Sequence, residues 1–116
     1  MYQINFETCT ADDVITRSII CHPTMLIDTL RANASIHFNA RDTMHDHEAV
    51  KIAQRSGNQC RQAANLVANL NGSGKPAEAI DAMDFGEWLA AFSAAAKLNL
   101  VPHATTQAII GRSNHD

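Results

Sequence analysis

The sequence is poor in the features that mark secreted and membrane-spanning proteins. Its 116 residues include three cysteines, Cys9, Cys21 and Cys60, whereas a secreted domain this short normally carries an even and denser set. Residues 1–10 have neither a positively charged start nor an apolar stretch, so no signal peptide is predicted. The longest strongly apolar stretch, residues 88–96, is far shorter than the roughly 20 residues that cross a bilayer. We therefore expect a cytoplasmic protein with reduced thiols and no membrane contact.

Aromatic residues and excess charge of one sign are scarce as well. Aromatics make up 5% of the chain, and 9 Lys+Arg against 12 Asp+Glu give a net charge of -3. The mildly acidic total argues against a polybasic, phosphate-binding tail, and the 46% hydrophobic content argues against intrinsic disorder. Many of these hydrophobic residues are alanine, which suits closely packed helices. The length predicts one domain over residues 1–116, with residues 111–116 as a frayed tail.

Catalytic and cofactor-binding motifs are missing. The sequence contains no GxSxG, no P-loop and no dinucleotide fingerprint, and Gly72-Ser73-Gly74-Lys75 lacks the preceding strand and the spacing of a phosphate-binding loop. Cys60 lies on an apolar helix face, where a thiol behaves as a small hydrophobe, and the neighbouring Arg61 points elsewhere. We therefore predict a protein without enzymatic activity and without a cofactor.

The densest cluster of potential metal ligands is His45-Asp46-His47-Glu48. Two imidazoles and two carboxylates suit a divalent metal, but residues two apart point about 200° away from each other around a helix. No HxxxH or ExxH pair supports a closed site. We interpret the cluster as a solvated helix start with stabilising carboxylates, and we predict no metal site.

Helix signals recur along the whole chain. Thr10, followed by two aspartates, predicts a helix start, and His22-Pro23 predicts that this helix ends and a second one begins. A connection is expected over residues 33–39. The segments 1–7 and 35–40 alternate between apolar and polar residues, which predicts a two-stranded ribbon, although Ile36 and Phe38 could equally close a helix.

The strongest periodicity follows, over residues 43–70. Its apolar side chains, Ile52 included, fall within about 120° of arc and are expected to face inward, and Thr43 with Asp46 resembles a capping box. After a loop at residues 71–76, a further helix runs to residue 98, with a kink or break at Phe85-Gly86 and a restart at Asp84. A last short helix is expected over residues 103–110. The sum is a mainly α fold, a compact bundle of about five helices around one long central helix.

The predicted long helix has two contrasting faces. One carries a seam of small and apolar residues, which either packs on the protein's own helix at residues 76–98 or pairs with a second copy or a partner protein. The seam comprises Ala49, Ala53, Ser56, Cys60, Ala63, Val67 and Leu70. The opposite face is rich in Asn, Gln and Arg. Residues 49–76 carry four basic residues and no acid, a charge of +4, whereas residues 77–87 carry four acids and no base. Opposite charges of this kind favour antiparallel pairing of the two helices, although each exposed pair contributes under about 1 kcal/mol.

The polar face provides the leading functional hypothesis. We expect a protein-interaction module, a small regulator, adaptor or inhibitor, that binds a protein partner. Homodimerisation through the seam is a further expectation. Asn and Gln lose their hydration more cheaply than charged side chains, and basic residues add electrostatic steering. The predicted contact residues are Lys51, Arg55, Asn58, Arg61, Gln62 and Asn65.

The rival hypothesis is a transcriptional regulator. Residues 92–112 faintly resemble a helix-turn-helix, in which Thr105, Thr106 and Gln107 would reach base edges. The segment departs from that pattern because Asn99 replaces the usual turn glycine. Phosphate anchoring is also thin. Nucleic acid is therefore the second prediction.

Overall fold

The computed structural model describes residues 10–73 and 75–101, and these residues form five helices without a strand. The helices are α1 Ala11–Cys21, α2 Pro23–Thr43, α3 His47–Ser73, α4 Pro76–Ala82 and α5 Phe85–Lys97. The prediction of a mainly α fold is confirmed. No helix within the described ranges is long and apolar enough to cross a bilayer.

Several helix boundaries follow the predicted local signals. The Thr10 hydroxyl accepts a hydrogen bond from the Asp13 backbone N–H at 3.2 Å, and the Asp13 carboxylate accepts one from the Thr10 N–H at 2.9 Å, which completes a capping box. Pro23 opens α2 and Pro76 opens α4. The Asp84 carboxylate accepts the Glu87 N–H at 2.8 Å and starts α5 after a short break. The first-helix start, the Pro23 boundary and the restart at Asp84 are confirmed.

Helix α2 is longer than predicted. The expected connection at residues 33–39 and the expected strand at residues 35–40 are both wrong, because this whole segment continues α2 to Thr43. Leu26, Leu30, Asn33 and Ala34 are its buried residues, and their spacing extends one helical stripe beyond the predicted end. The alternation of apolar and polar residues over 35–40 therefore does not reflect a strand. Residues 1–7, the other predicted strand, lie outside the described residues, and the ribbon is not confirmed.

The start of α3 also differs from the prediction. Thr43 is the last residue of α2, and its hydroxyl donates to the Ala40 carbonyl at 3.0 Å, so the predicted Thr43–Asp46 capping box is wrong. Asp46 instead accepts the Glu48 N–H at 3.3 Å, at the first turn of α3. The periodic segment predicted over residues 43–70 is thus a helix from His47 to Ser73.

Helices α2 and α3 form the most extensive contact between any two helices of the described chain. They are antiparallel: the Arg41 guanidinium donates to the Gln54 side chain at 2.9 Å, and one turn further along, the Phe38 ring lies against Gly57. With 21 and 27 residues, the two helices are of similar length. The prediction of one long central helix is therefore not confirmed; a helical pair occupies that place, and α1, α4 and α5 pack beside it.

The core between these helices is built mainly from alanine and aliphatic side chains. Large members such as Ile15, Leu26 and Leu30 are completely buried, and alanines fill the positions where helices approach closely. The core members are Ala11, Ile15, Ile19, Leu26, Leu30, Ala63, Ala64, Val67, Ala79, Ala91, Phe92 and Ala94.

One tryptophan ties the two ends of the described chain together. The indole N–H of Trp88 donates to the Asp12 carboxylate at 2.7 Å, across 76 positions of sequence. Its ring stacks on Phe85 at 6.1 Å and on Phe92 at 5.7 Å between centroids. This contact fixes α1 against α5.

The C-terminal end of α5 closes in a Schellman motif. The Leu100 N–H donates to the Ala95 carbonyl at 3.2 Å, the Asn99 N–H donates to the Ala96 carbonyl at 3.0 Å, and Asn99 adopts a left-handed φ of 58°. The chain therefore turns sharply at the residue that stands where a helix-turn-helix usually has glycine. The predicted helix at residues 103–110 and the predicted tail at residues 111–116 lie outside the described residues.

Candidate interaction face on helix α3

The inner face of α3 packs within the chain. Ala53, Cys60, Ala63 and Val67 of the predicted seam are buried, and Ala49, Ser56 and Leu70 are half-buried. The seam therefore packs within this chain, but the main partner of α3 is α2 rather than the predicted helix at residues 76–98, because α2 continues to Thr43 and lies along α3. Homodimerisation stays a prediction, and it would have to use another surface.

One residue of the predicted apolar arc is wrongly placed. Ile52 was expected to point inward, but 59% of its surface is exposed. At 100° per residue, Ile52 lies at the extreme edge of the arc, about 100° from Ala53. The opposite edge of the arc, where Ala64 lies, is completely buried, so the buried face of α3 is shifted away from Ile52.

The outer face of α3 carries the predicted contact residues. Lys51, Arg55 and Gln62 are exposed, and Asn58 is half-buried. These four side chains line one surface groove of about 540 Å³. Spacings of three and four residues place them in one row along the helix, as the periodicity predicted.

The other two predicted residues lie apart from this groove. The guanidinium carbon of Arg61 is 5.7 Å from the centroid of the Phe38 ring, so Arg61 is turned towards α2. Asn65 is exposed on the following turn and does not line the groove. The structure thus brings four of the six predicted residues together.

The groove also includes residues that the sequence reasoning missed. Gln54, Gln59 and Asp84 complete its polar wall, and Val50 adds an apolar patch. Gln54 is held by its hydrogen bond from Arg41. Gln59 lies directly over Gly86 of α5, where any larger residue would meet its amide group. A glycine at position 86, two residues after the N-cap of α5, is the feature of the sequence that could have predicted this close approach of another helix.

The charges of the groove are largely unpaired. Within residues 10–73 and 75–101, neither Lys51 nor Arg55 has a carboxylate oxygen within 4.0 Å. Over the same ranges, no ion pair joins α3 to α4 or α5. The basic residues of α3 and the acidic segment at residues 77–87 therefore form no salt bridge with each other among the described residues. Two exposed cations without a nearby carboxylate create a positive potential that attracts an anionic group.

Negative charge gathers on one side of this groove, at the start of α5. The Asp84 carboxylate lines the groove, and the Glu87 side chain follows one turn later. Burial, together with the neighbouring Asp84 charge, raises the pKa of the Glu87 carboxyl above its ordinary value. The groove is therefore bordered by an acid on the α5 side, while its cations stand on α3.

The histidine-rich segment before α3 gives no metal centre. His45, Asp46, His47 and Glu48 are all exposed. In the part of the chain that the structure describes, no three His, Cys, Asp or Glu side chains are grouped so that they could hold a metal ion.

Comparison with protein-family models, with curated proteins and with solved structures finds no match for this chain.

Proposed function

We propose that this protein is a non-enzymatic interaction module, a small regulator, adaptor or inhibitor, that binds a protein partner through the outer face of α3. The observation that carries the proposal is the convergence of Lys51, Arg55, Asn58 and Gln62 on one groove. The two cations in this row have no carboxylate within 4.0 Å among the described residues. A surface that leaves its charges unpaired in the free protein is suited to pair them in a complex.

The chemistry of the groove defines the partner surface. Amide side chains hydrogen-bond to polar groups of either kind, and Lys51 and Arg55 favour carboxylates. A partner segment rich in Asp or Glu meets both requirements. Binding would act sterically, by covering that segment or by bridging it to another surface, with Arg61 adding longer-range attraction.

The proposal is tested by reversing the charge of the groove. The double variant Arg55→Glu/Gln62→Glu changes two exposed side chains, so it should stay folded, yet it should lose partners captured from the native host. The matched control is Arg31→Glu/Asn39→Asp, which makes the same change of charge at exposed positions of α2. Capture should survive the control and weaken with added salt. Equal recovery by the wild type and the groove variant would exclude this face.

The alternative is a DNA-binding regulator that uses residues 92–112. Its support is the sharp turn at the end of α5, where Asn99 adopts the left-handed conformation that glycine usually supplies in the turn of a helix-turn-helix. A gel shift against genomic fragments at low and moderate salt separates the two functions. A sequence-selective shift that disappears in Thr106→Ala or Arg112→Ala would favour DNA, provided that Arg55→Glu/Gln62→Glu leaves it unchanged.

A further inference from the structure

A second depression lies on the other side of Gln59 from the groove, between α2, α3 and α5. Its volume is about 330 Å³, within the range of small-molecule sites. Residues of α2, α3 and α5 all contribute to its wall, so it is a cleft between packed helices, partly open to solvent. It shares only Gln59 with the groove.

Much of the cleft wall is apolar. Leu89 and Ala90 of α5 face Cys60 of α3, and Cys60 is only 5% exposed. Burial raises the pKa of the Cys60 thiol, so at neutral pH it is an uncharged, weakly polar part of the wall. At the rim, Ile36 of α2 leaves 60% of its surface in water. An apolar body placed in the cleft would cover part of this surface.

A single cation stands at the same cleft. The Lys97 ammonium donates to the Asn33 side-chain oxygen at 2.5 Å, and Asn33 is itself only 8% exposed. A neutral amide oxygen positions the ammonium but does not neutralise its charge, and Lys97 is exposed to water. Over residues 10–73 and 75–101, no carboxylate oxygen lies within 4.0 Å of Lys97. An ammonium offers three donor hydrogens, and Asn33 takes one of them.

We propose that this cleft binds a small organic anion, a monocarboxylate with a compact apolar body. The carboxylate pairs with Lys97, and the body lies against Ile36, Leu89 and Ala90. Apolar contact and one charge-assisted hydrogen bond are the combination that small-ligand sites typically use, with few polar groups fixing the orientation.

Lys97 also has a structural role, because a cation in the last turn of α5 interacts favourably with the helix dipole. That role requires neither the apolar wall nor the buried Asn33. Ligand binding and helix stabilisation are therefore separable by experiment.

The test is a titration followed by amide chemical shifts in ¹H–¹⁵N spectra, with hexanoate as the probe and hexanamide as its neutral counterpart. Hexanoate should give saturable shifts confined to residues around the cleft in α2, α3 and α5. We expect hexanamide to bind about tenfold more weakly, because it lacks the charge that Lys97 recognises. Lys97→Gln should weaken hexanoate by a similar factor.

The control variant is Arg31→Gln, which removes an exposed cation of α2 that lines neither the cleft nor the groove and should leave hexanoate binding unchanged. A native-like spectrum of Lys97→Gln in the absence of the probe separates lost binding from lost folding. If the variant unfolds, the hexanoate-to-hexanamide ratio in the wild type still decides the matter. Absence of cleft shifts with hexanoate, shifts spread over the whole surface, or equal affinity for the two probes would each overturn the proposal.

Discussion

The two faces of α3 follow opposite rules. Towards α2 and α5, its side chains are small and buried, and Ala63, Ala64 and Val67 have no exposed surface. On the outer face, Lys51, Arg55 and Gln62 are exposed. One face of α3 is thus tightly packed within the chain, and the opposite face is exposed to solvent.

This contrast shows how a small domain can separate stability from recognition on one element. Close helix packing depends on short side chains, so the inner face has little room for change. The outer face makes few contacts within the chain, and substitution there should cost little. Three experiments test the contrast, from the largest expected effect to the smallest.

The first experiment introduces the same carboxylate at two adjacent positions. Ala64→Asp places a charge at a fully buried site, whereas Asn65→Asp changes an exposed amide. An uncompensated buried charge costs roughly 3–5 kcal/mol, so we expect Ala64→Asp to lower the free energy of unfolding by about that amount. Asn65→Asp should stay within about 0.5 kcal/mol of the wild type. Urea unfolding followed by circular dichroism measures both, and similar midpoints would refute the division into two faces.

The second experiment compares two helical glycines that lie under different side chains. A methyl group at Gly57 would approach the Phe38 ring to 2.5 Å, and the guanidinium carbons of Arg41 and Arg61 lie within 5.2 and 5.7 Å of that ring's centroid. Overpacking costs about 1–3 kcal/mol, and Ala gains up to about 1 kcal/mol over Gly in a helix. Gly57→Ala should therefore lower the free energy of unfolding by about 1 kcal/mol.

The matched substitution is Gly86→Ala, whose methyl group meets the end of the Gln59 side chain. A flexible amide can swing aside, so the helix propensity of alanine should dominate and the protein should gain about 0.5–1 kcal/mol. In the Phe38→Ala background, Gly57→Ala should also become stabilising. If it stays destabilising there, contact with the ring is not the cause.

The third experiment uses pH to measure the burial of Cys60. The folded state holds the pKa of this thiol above its ordinary value of 9.0, because burial disfavours the thiolate more strongly than the Lys97 charge favours it. Below pH 9 the thiol is mostly protonated in both states, and its contribution to stability is intact. As the pH rises above 9, the unfolded chain releases this proton first, so stability falls.

Urea unfolding at pH 8 and pH 10 detects this difference as a smaller loss of stability in Cys60→Ala than in the wild type. Cys21→Ala, at an exposed thiol, is the control and should keep the wild-type pH dependence. An equal loss in Cys60→Ala would show that the thiol titrates alike in both states.

The parts of the fold that the sequence predicted correctly depend on local chemistry. Thr10, Pro23 and Asp84 fix helix starts through their own hydrogen bonds or ring geometry, which no distant contact needs to support. The extension of α2 through residues 33–43 depends instead on α3, against which Phe38 and Arg41 pack. Alternation over six residues cannot reveal that partner, and so it suggested a strand.

The candidate site divides in the same way. Helical periodicity alone places Lys51, Arg55, Asn58 and Gln62 in one row. It cannot show that Arg61 turns to the Phe38 ring, or that the start of α5 brings Asp84 to the edge of the groove. Those positions depend on how α2, α3 and α5 pack against one another, which the periodicity of a single helix does not contain.

The contact between Trp88 and Asp12 gives the protein an intrinsic optical reporter. Trp88 is the only tryptophan in the chain, and its indole is hydrogen-bonded to the first described helix while it stacks within the last. Fluorescence emission from this one ring therefore registers whether the two ends of the described chain are docked. Asp12→Asn would alter the emission spectrum by removing a nearby charge, without placing a label anywhere on the protein.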